Sequence, residues 1–289
     1  TGFFVPDPDT FWALQPNYYG DGAEMRPKWG GAPLILNEHG MRSPPVPVKK
    51  PPGIKRAIVI GGSHPMGMWV KAGEAYSAVL ERRINQRDGP IWSVLNASVA
   101  GYTSYQGLRQ LESKLLAFEP DLILCDLGVN DTLPQLAWNL PRPDHRLGQP
   151  PALVGGVRAL LRRSAAYRAA LDAVTRSARR LPPGPRVPDD QHLANLRAIG
   201  RVAAAAGART LYFNQFQATV PPWDPESTEA SCVYDEAGLE PVVDVCGLFL
   251  PRFDELPDLF ADPIHANARG HAMIADRAYE LLDGLGWLE

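Results

Sequence analysis

VIGGSHPMG, residues 59–67, joins the end of an apolar run to two glycines and a serine. The run that leads into it, Ala57-Ile58-Val59-Ile60, is typical of a buried strand, and the glycines allow the chain to turn sharply afterwards. Ser63 stands at that turn. The stretch therefore predicts a strand ending in a tight loop. It leaves two interpretations for Ser63, a turn or helix-capping residue and a nucleophile.

Strand and helix patterns alternate along the rest of the chain. This alternation predicts an α/β fold, a three-layer α/β/α flavodoxin-like sandwich with a mainly parallel central sheet and right-handed crossovers. The predicted strands are 55–61, 91–96, 121–127, 209–214 and 242–245, and the predicted helices are 74–86, 105–118, 191–206 and 268–285.

Two regions depart from this alternation. Residues 1–54 are rich in proline, aromatic residues and glycine, which predicts an irregular N-terminal arm packed on a domain of residues 55–289. A helical insertion is predicted at about 132–190, as a cap beside the cleft. Its middle, 154–180, combines apolar residues at helical spacing with seven arginines. It is either a basic amphipathic segment that contacts anionic lipid or an acidic partner or substrate, or a helix packed on the domain with a solvated arginine face.

Composition excludes several classes of protein. The chain has 289 residues, 45% of them hydrophobic, and a net charge of -3, so it is neither disordered nor collagen-like and offers no basic field for nucleic acid. No apolar run reaches the roughly 18 residues that a membrane span needs. The chain starts at Thr1 without a signal peptide or methionine, which is consistent with a removed leader or anchor; we expect a periplasmic, secreted or membrane-anchored location rather than the cytoplasm. Of three cysteines, Cys125 lies in an apolar run and is predicted to be a buried structural thiol.

The predicted sheet indicates where a functional site should lie. In an open parallel sheet, ligands bind beyond the carboxyl ends of the strands. Ser63 follows the first strand, Gly101 in NASVAGYTS follows the second, and Asn130 in GVND follows the third. Asp262 and His265, in DPIH, precede the last helix and could return a histidine to the same rim.

These four blocks, in this order, resemble those of the SGNH (GDSL-like) hydrolases. The resemblance runs from Lys55 to the C-terminus, and NEHGMR, residues 37–42, also resembles the lead-in segment of some bacterial members. It implies the SGNH hydrolase fold and a serine esterase. The expected substrate is a carboxylic ester with a short acyl or O-acetyl group, on a small molecule or a carbohydrate.

The resemblance implies a role for each block. Ser63 would attack the ester carbonyl, His265 would act as general base and then general acid, and Asp262 would hold the imidazole. The backbone N–H groups of Ser63 and Gly101 and the side-chain amide of Asn130 would form the oxyanion hole. Water would hydrolyse the acyl-enzyme on Ser63. This mechanism requires no metal and no organic cofactor.

Two departures from the family pattern keep other functions open. Gly62 stands where the family usually has Asp, and Pro65 stands where a polar residue is common. An O-acyltransferase would pass the same acyl group to a sugar hydroxyl, and a catalytically silent binding module would keep only the fold and cleft. His64 is the less favoured base, because neighbouring residues on an extended turn point apart. Asp131 is assigned a capping or turn role, and His271 a packing or solvated position in the last helix.

Overall fold

The computed structural model describes residues 2–21, 31–89, 91–134, 144, 184–218, 230–233 and 238–289. The arginine-rich stretch 154–180, and with it most of the helical insertion predicted at about 132–190, lies outside the described residues. None of the described helices combines the length and apolarity that crossing a membrane requires.

The strands and helices that the sequence predicts occur in the predicted order, and the described residues contain further short strands and helices. In chain order the strands are β1 (Phe4–Asp7), β2 (Phe11–Leu14), β3 (Tyr19–Gly20), β4 (Leu34–Ile35), β5 (Lys55–Gly61), β6 (Trp92–Asn96), β7 (Leu122–Asp126), β8 (Arg209–Phe213), β9 (Gln215–Ala218), β10 (Ala230–Val233) and β11 (Val242–Val243). The α-helices are α1 (Ser63–Met66), α2 (Tyr76–Asp88), α3 (Ser104–Ser113), α4 (Val129–Thr132), α5 (Asp189–Ala205), α6 (Val245–Phe249), α7 (Leu256–Leu259) and α8 (Ala268–Gly284), and 3-10 helices cover Ala72–Glu74, Leu115–Phe118 and Leu250–Glu255.

Five of the strands form the central sheet, in the order β11-β8-β7-β5-β6. Every pairing in this sheet is parallel. Val59 of β5 is in register with Asn96 of β6, and Gly61 is in register with Asp126 of β7. The predicted α/β fold is confirmed, and the carboxyl ends of β5, β6 and β7 lie side by side at one edge of the sheet.

Helices cover both faces of the sheet, and β5 shows why its sequence is apolar throughout. Ile58 and Ile60 enter one core together with residues of α3 and α5. Ala57 and Val59 enter the opposite core together with residues of α2 and α8. Successive side chains of a strand point to opposite faces, so a strand covered on both sides has no polar positions to alternate with.

The N-terminal arm differs from the irregular segment that the sequence predicts. It contains two antiparallel strand pairs, β1 with β2 and β3 with β4. The turn between β1 and β2 is closed by the Asp7 carboxylate, which accepts hydrogen bonds from the N–H groups of Asp9 and Thr10. Such local bonds allow short strands to form without a long apolar pattern.

The cysteines differ in role. Cys125 lies buried in β7 and, as predicted, is not part of a disulfide. Cys232 of β10 and Cys246 of α6 form a disulfide that the sequence did not predict. Their spacing of 14 residues carries no signal by itself, because only the fold brings β10 beside α6.

Candidate active site

The turn that carries Ser63 depends on two glycines packed against their surroundings. Ser63 begins α1 directly after β5. A Cβ atom on Gly61 would lie 2.4 Å from the carbonyl oxygen of Asp126, and one on Gly62 would lie 2.5 Å from Nδ2 of Asn130. No side chain fits at either position without displacing a neighbour. At position 62, where the family usually has Asp, a side chain would have to displace the Asn130 amide.

Ser63, His265 and Asp262 form a continuous chain of hydrogen bonds. Oγ of Ser63 lies 2.7 Å from Nε2 of His265. Nδ1 of the same ring lies 2.7 Å and 2.8 Å from the two carboxylate oxygens of Asp262. The fold thus brings together side chains that are about 200 residues apart in the sequence. The hydroxyl meets one imidazole nitrogen while the other is held by a carboxylate, the arrangement by which a serine is activated as a nucleophile.

Asp262 is ionised and firmly oriented. Its carboxylate accepts the backbone N–H groups of Ile264 and His265 at 3.0 Å and 2.9 Å, and the indole N–H of Trp69 at 2.8 Å. Burial opposes ionisation, but hydrogen bonds and the charge interaction with His265 outweigh it, so the pKa of Asp262 lies below its usual value. Trp69 was not predicted as a site residue. An isolated tryptophan gives no sequence signal for it, and its left-handed φ of 73° appears only in the structure.

The Asn130 amide lies beside the turn that carries Ser63, and both residues line the same cleft. Gly101 adopts a left-handed φ of 82° in the loop after β6. Nδ2 of Asn130 donates to the carbonyl of Tyr102 at 3.0 Å, which leaves its second N–H for another acceptor. Within the described residues, no group accepts a hydrogen bond from the backbone N–H of Ser63 or of Gly101. Among the described residues, the three predicted oxyanion donors thus keep an N–H that bonds no acceptor.

A small cleft opens next to Ser63. Asn130 and Gln215 contribute polar groups to its lining. The apolar lining consists of Val129, Phe216, Val245, Phe260 and Ile264. A pocket of this kind, mostly apolar with a few placed polar groups, is typical of a small-molecule site.

Asp131 has a structural role, but through tertiary contacts rather than a local cap. Its buried carboxylate accepts the backbone N–H of Ser104 at 2.8 Å and the hydroxyl at 2.5 Å, and it contacts Nδ1 of His192 at 2.8 Å. These bonds fix α4 to the start of α3 and to α5. Because Asn130 precedes Asp131 directly, they also hold the backbone at Asn130.

Arg42, in the NEHGMR segment, holds the chain at the end of α1 by hydrogen bonds to its carbonyl groups. Its buried guanidinium donates to the carbonyls of Met66 at 2.9 Å and Val70 at 2.6 Å, and also to that of Gly67. Burial lowers the pKa of Arg42 to about 10, so the side chain remains charged at neutral pH. The segment thus connects the arm to the turn that carries Ser63.

His64 does not meet the Ser63 hydroxyl, which His265 contacts. Nδ1 of His64 lies 3.5 Å from a carboxylate oxygen of Asp126, and its ring stacks on His271 at 5.4 Å. His271 is fully buried, and Nδ1 of its ring accepts the backbone N–H of Tyr76. The histidine in the last helix therefore packs in the core and is not solvated.

His271 makes folding sensitive to acid. Burial, reinforced by the nearby His64 and Arg42, holds the pKa of His271 well below its usual value. Below about pH 6.5 the unfolded chain takes up a proton here and the folded chain does not, so stability falls as pH falls. We expect wild type to lose about 1.4 kcal/mol per pH unit below pH 6.5 relative to His271→Gln. Urea unfolding of both proteins between pH 7.5 and pH 5 measures this difference; parallel stability curves would contradict it.

Comparisons with known proteins relate this chain to lipases and esterases. A model of the GDSL-like lipase/acylhydrolase family matches residues 59–273. Esterase TesA of Pseudomonas aeruginosa is 32% identical over 80 residues, which cover 28% of this chain and 39% of that protein. Thioesterase 1/protease 1/lysophospholipase L1 of Escherichia coli K12 is 36% identical over 76 residues, 26% of this chain and 35% of that protein. The aligned segments thus cover less than half of either curated relative.

Solved structures share the fold at low sequence identity. LAE5, described as an alpha/beta hydrolase from the metagenome of Lake Arreo in Spain, superposes with a TM-score of 0.50 at 16% identity. The match covers 81% of this chain and 96% of LAE5. At this identity the similarity concerns the fold alone.

Proposed function

The chain belongs to the GDSL-like lipase/acylhydrolase family, and from this membership we propose that it is a serine esterase with Ser63 as the nucleophile. The proposal is that it hydrolyses a carboxylic ester of a small molecule or a carbohydrate. The observation that carries it is the contact of 2.7 Å between Oγ of Ser63 and Nε2 of His265, with Asp262 on the other ring nitrogen.

In the proposed reaction, Oγ of Ser63 attacks the ester carbonyl while Nε2 of His265 takes the hydroxyl proton. The tetrahedral intermediate collapses when the imidazolium donates that proton to the departing alkoxide, which leaves as the alcohol. Water then attacks the acyl-enzyme, losing a proton to His265. The second collapse releases the carboxylic acid and returns the proton to Ser63. Asp262 stabilises the imidazolium in both half-reactions and stays ionised.

Both tetrahedral intermediates carry a negative oxygen that needs donors. We assign these to the backbone N–H groups of Ser63 and Gly101 and to the Asn130 amide. Asn130 suits this role because its amide donates without carrying charge, and its orientation is fixed by Tyr102.

A short acyl group is the best fit for the cleft. The cleft is small, its lining includes the bulky side chains of Phe216 and Phe260, and leaving-group atoms must share the space. Turnover of p-nitrophenyl esters of increasing chain length measures the preference directly.

Covalent labelling tests the proposed nucleophile. We expect a fluorophosphonate probe to add once to the folded wild-type chain, on the peptide that contains Ser63, because only an activated serine attacks it. Intact-mass and peptide mass spectrometry locate the adduct. Ser63→Ala and urea-unfolded wild type are the controls, and both should stay unlabelled.

Mass spectrometry also distinguishes the esterase from an acyltransferase and from a silent binding module. A label on Ser63 together with stable acetyl-Ser63 after incubation with p-nitrophenyl acetate, but no turnover, would indicate an acyltransferase that lacks its acceptor. Absence of any label on folded wild type would contradict a serine nucleophile and would favour a silent binding module.

A further inference from the structure

The loop that carries Gly101 is held on two sides by side chains outside the four sequence blocks. The indole Nε1–H of Trp12, in the N-terminal arm, donates to the carbonyl of Ala100 at 3.3 Å. Nη1 of Arg186 donates to the carbonyl of Gly101 at 2.6 Å. The peptide units on both sides of the Gly101 Cα are thus fixed through their carbonyl groups.

The contact from Trp12 acts directly on the Gly101 N–H. The Ala100 carbonyl and the Gly101 N–H belong to one planar trans peptide unit and point in opposite directions. A donor held on this carbonyl sets the direction of the N–H and polarises it toward an acceptor on the far side. Glycine itself restricts φ and ψ very little, so the direction has to be set by such external contacts.

Arg186 is itself immobilised by buried partners. Its guanidinium donates to Oδ2 of Asp144 at 2.9 Å and to Oε1 of Gln106 at 2.7 Å. It also lies over the ring of Trp12, 5.4 Å from the centroid. The side chains of Arg186 and Asp144 are both without solvent exposure. Trp12 and Arg186 therefore form one cluster around the Gly101 loop.

A buried ion pair of this kind is weak evidence for a role in stability. Burial raises the pKa of Asp144 above its usual value even with Arg186 beside it, and burial lowers the pKa of Arg186. The geometry of the Arg186 contacts, which include the Gly101 carbonyl, points to a role at the Gly101 loop.

We propose that Trp12 and Arg186 are positioning residues that aim the Gly101 N–H at the negative oxygen of the tetrahedral intermediate. The inference rests on the proposed function, since it takes this N–H as an oxyanion donor. It gives two peripheral segments a part in catalysis. Trp12 belongs to the arm, and the backbone N–H of Arg186 bonds to the carbonyl of Leu133, where the predicted insertion begins.

Two substitutions test this role. Trp12→Phe removes the indole donor but keeps an aromatic ring, and Arg186→Lys keeps the charge but removes the fork of donors. We expect kcat for p-nitrophenyl acetate to fall about tenfold in each while KM stays unchanged, because the substrate ground state carries no oxyanion. Complete loss of an oxyanion donor costs about 10²–10³ in turnover, and a misaimed donor loses part of that. Trp12→Phe should also keep the wild-type Tm.

Arg56→Lys is the matched control. Arg56 is equally buried and donates to the carbonyls of Val48 and Phe118, but it lies at the opposite end of β5. We expect this variant to lower Tm and leave kcat unchanged, which measures the cost of replacing a buried arginine.

The outcomes distinguish a failure of the positioning role from a failure of the proposed esterase function. The positioning role is wrong if Ser63→Ala is inactive but Trp12→Phe and Arg186→Lys keep kcat within twofold of wild type. It is also wrong if they lose no more kcat than Arg56→Lys. Wild type without Ser63-dependent turnover would overturn the proposed function, and the positioning role with it.

Discussion

Ser63→Ala and His265→Ala are each expected to lower kcat for p-nitrophenyl acetate by about 10⁴–10⁶-fold. Alanine at position 63 removes the atom that forms the acyl-enzyme. Alanine at position 265 leaves the hydroxyl without the base that lies 2.7 Å away. Steady-state rates at pH 8, with purified proteins of equal Tm, measure the effect.

A variant with both substitutions tests whether Ser63 and His265 act together in one step or contribute to kcat independently. If the two side chains act in one step, Ser63→Ala/His265→Ala should be no slower than either single variant. Ser98→Ala serves as the control, because this buried serine lies in the same strand-end loops and no described group bonds its hydroxyl. We expect it to keep wild-type kcat.

A variant of His64 tests whether His265 is correctly assigned as the general base. It is the histidine next to Ser63 in the sequence, yet its ring faces Asp126 and His271 in the fold. If His64→Asn lowered kcat as much as His265→Ala does, His265 would not be the base. We expect His64→Asn to lower the stability of the fold and not kcat to that extent.

The parts of the fold that the sequence predicts well are those that repeat locally. The run Ala57-Ile58-Val59-Ile60 has no polar member because both faces of β5 are covered, and this can be recognised without any partner. The same holds for α2, whose Tyr76, Leu80 and Ile84 share one buried face. The apolar pattern at 105–118 predicts one continuous helix, but α3 ends at Ser113 and a separate 3-10 helix follows at Leu115–Phe118.

The residues of the candidate site likewise include some that the sequence predicts and some that it does not. Ser63, Gly101 and Asn130 could be predicted as site residues because each lies in the turn or loop after a strand of the parallel sheet, where ligands bind. Trp69, Trp12 and Arg186 could not, because each acts through one long-range hydrogen bond. Trp69 reaches a residue 193 positions away, and the bonds from Trp12 and Arg186 span 88 and 85 positions. Such contacts leave no periodic pattern in the sequence.

Asn130→Ala is expected to lower kcat by about 10²–10³-fold with little change in KM. The amide hydrogen that does not bond the Tyr102 carbonyl is the one available to the developing oxyanion. It contributes little to the uncharged ester, so its loss falls on the transition state rather than on substrate binding. Rates and KM for p-nitrophenyl acetate measure this division.

Asn130→Asp separates donation from packing at the same position. The carboxylate nearly matches the amide in size but has no N–H, and its charge would repel the oxyanion, so this variant should be at least as slow as Asn130→Ala. Asn195→Ala is the control, because Asn195 is also a buried amide donor, bonded to the Ser104 hydroxyl at 3.0 Å away from the cleft. It should lower Tm and spare kcat. If Asn130→Ala instead raised KM and left kcat within tenfold of wild type, the amide would bind substrate rather than stabilise the intermediate, and two backbone N–H groups alone would have to hold the oxyanion.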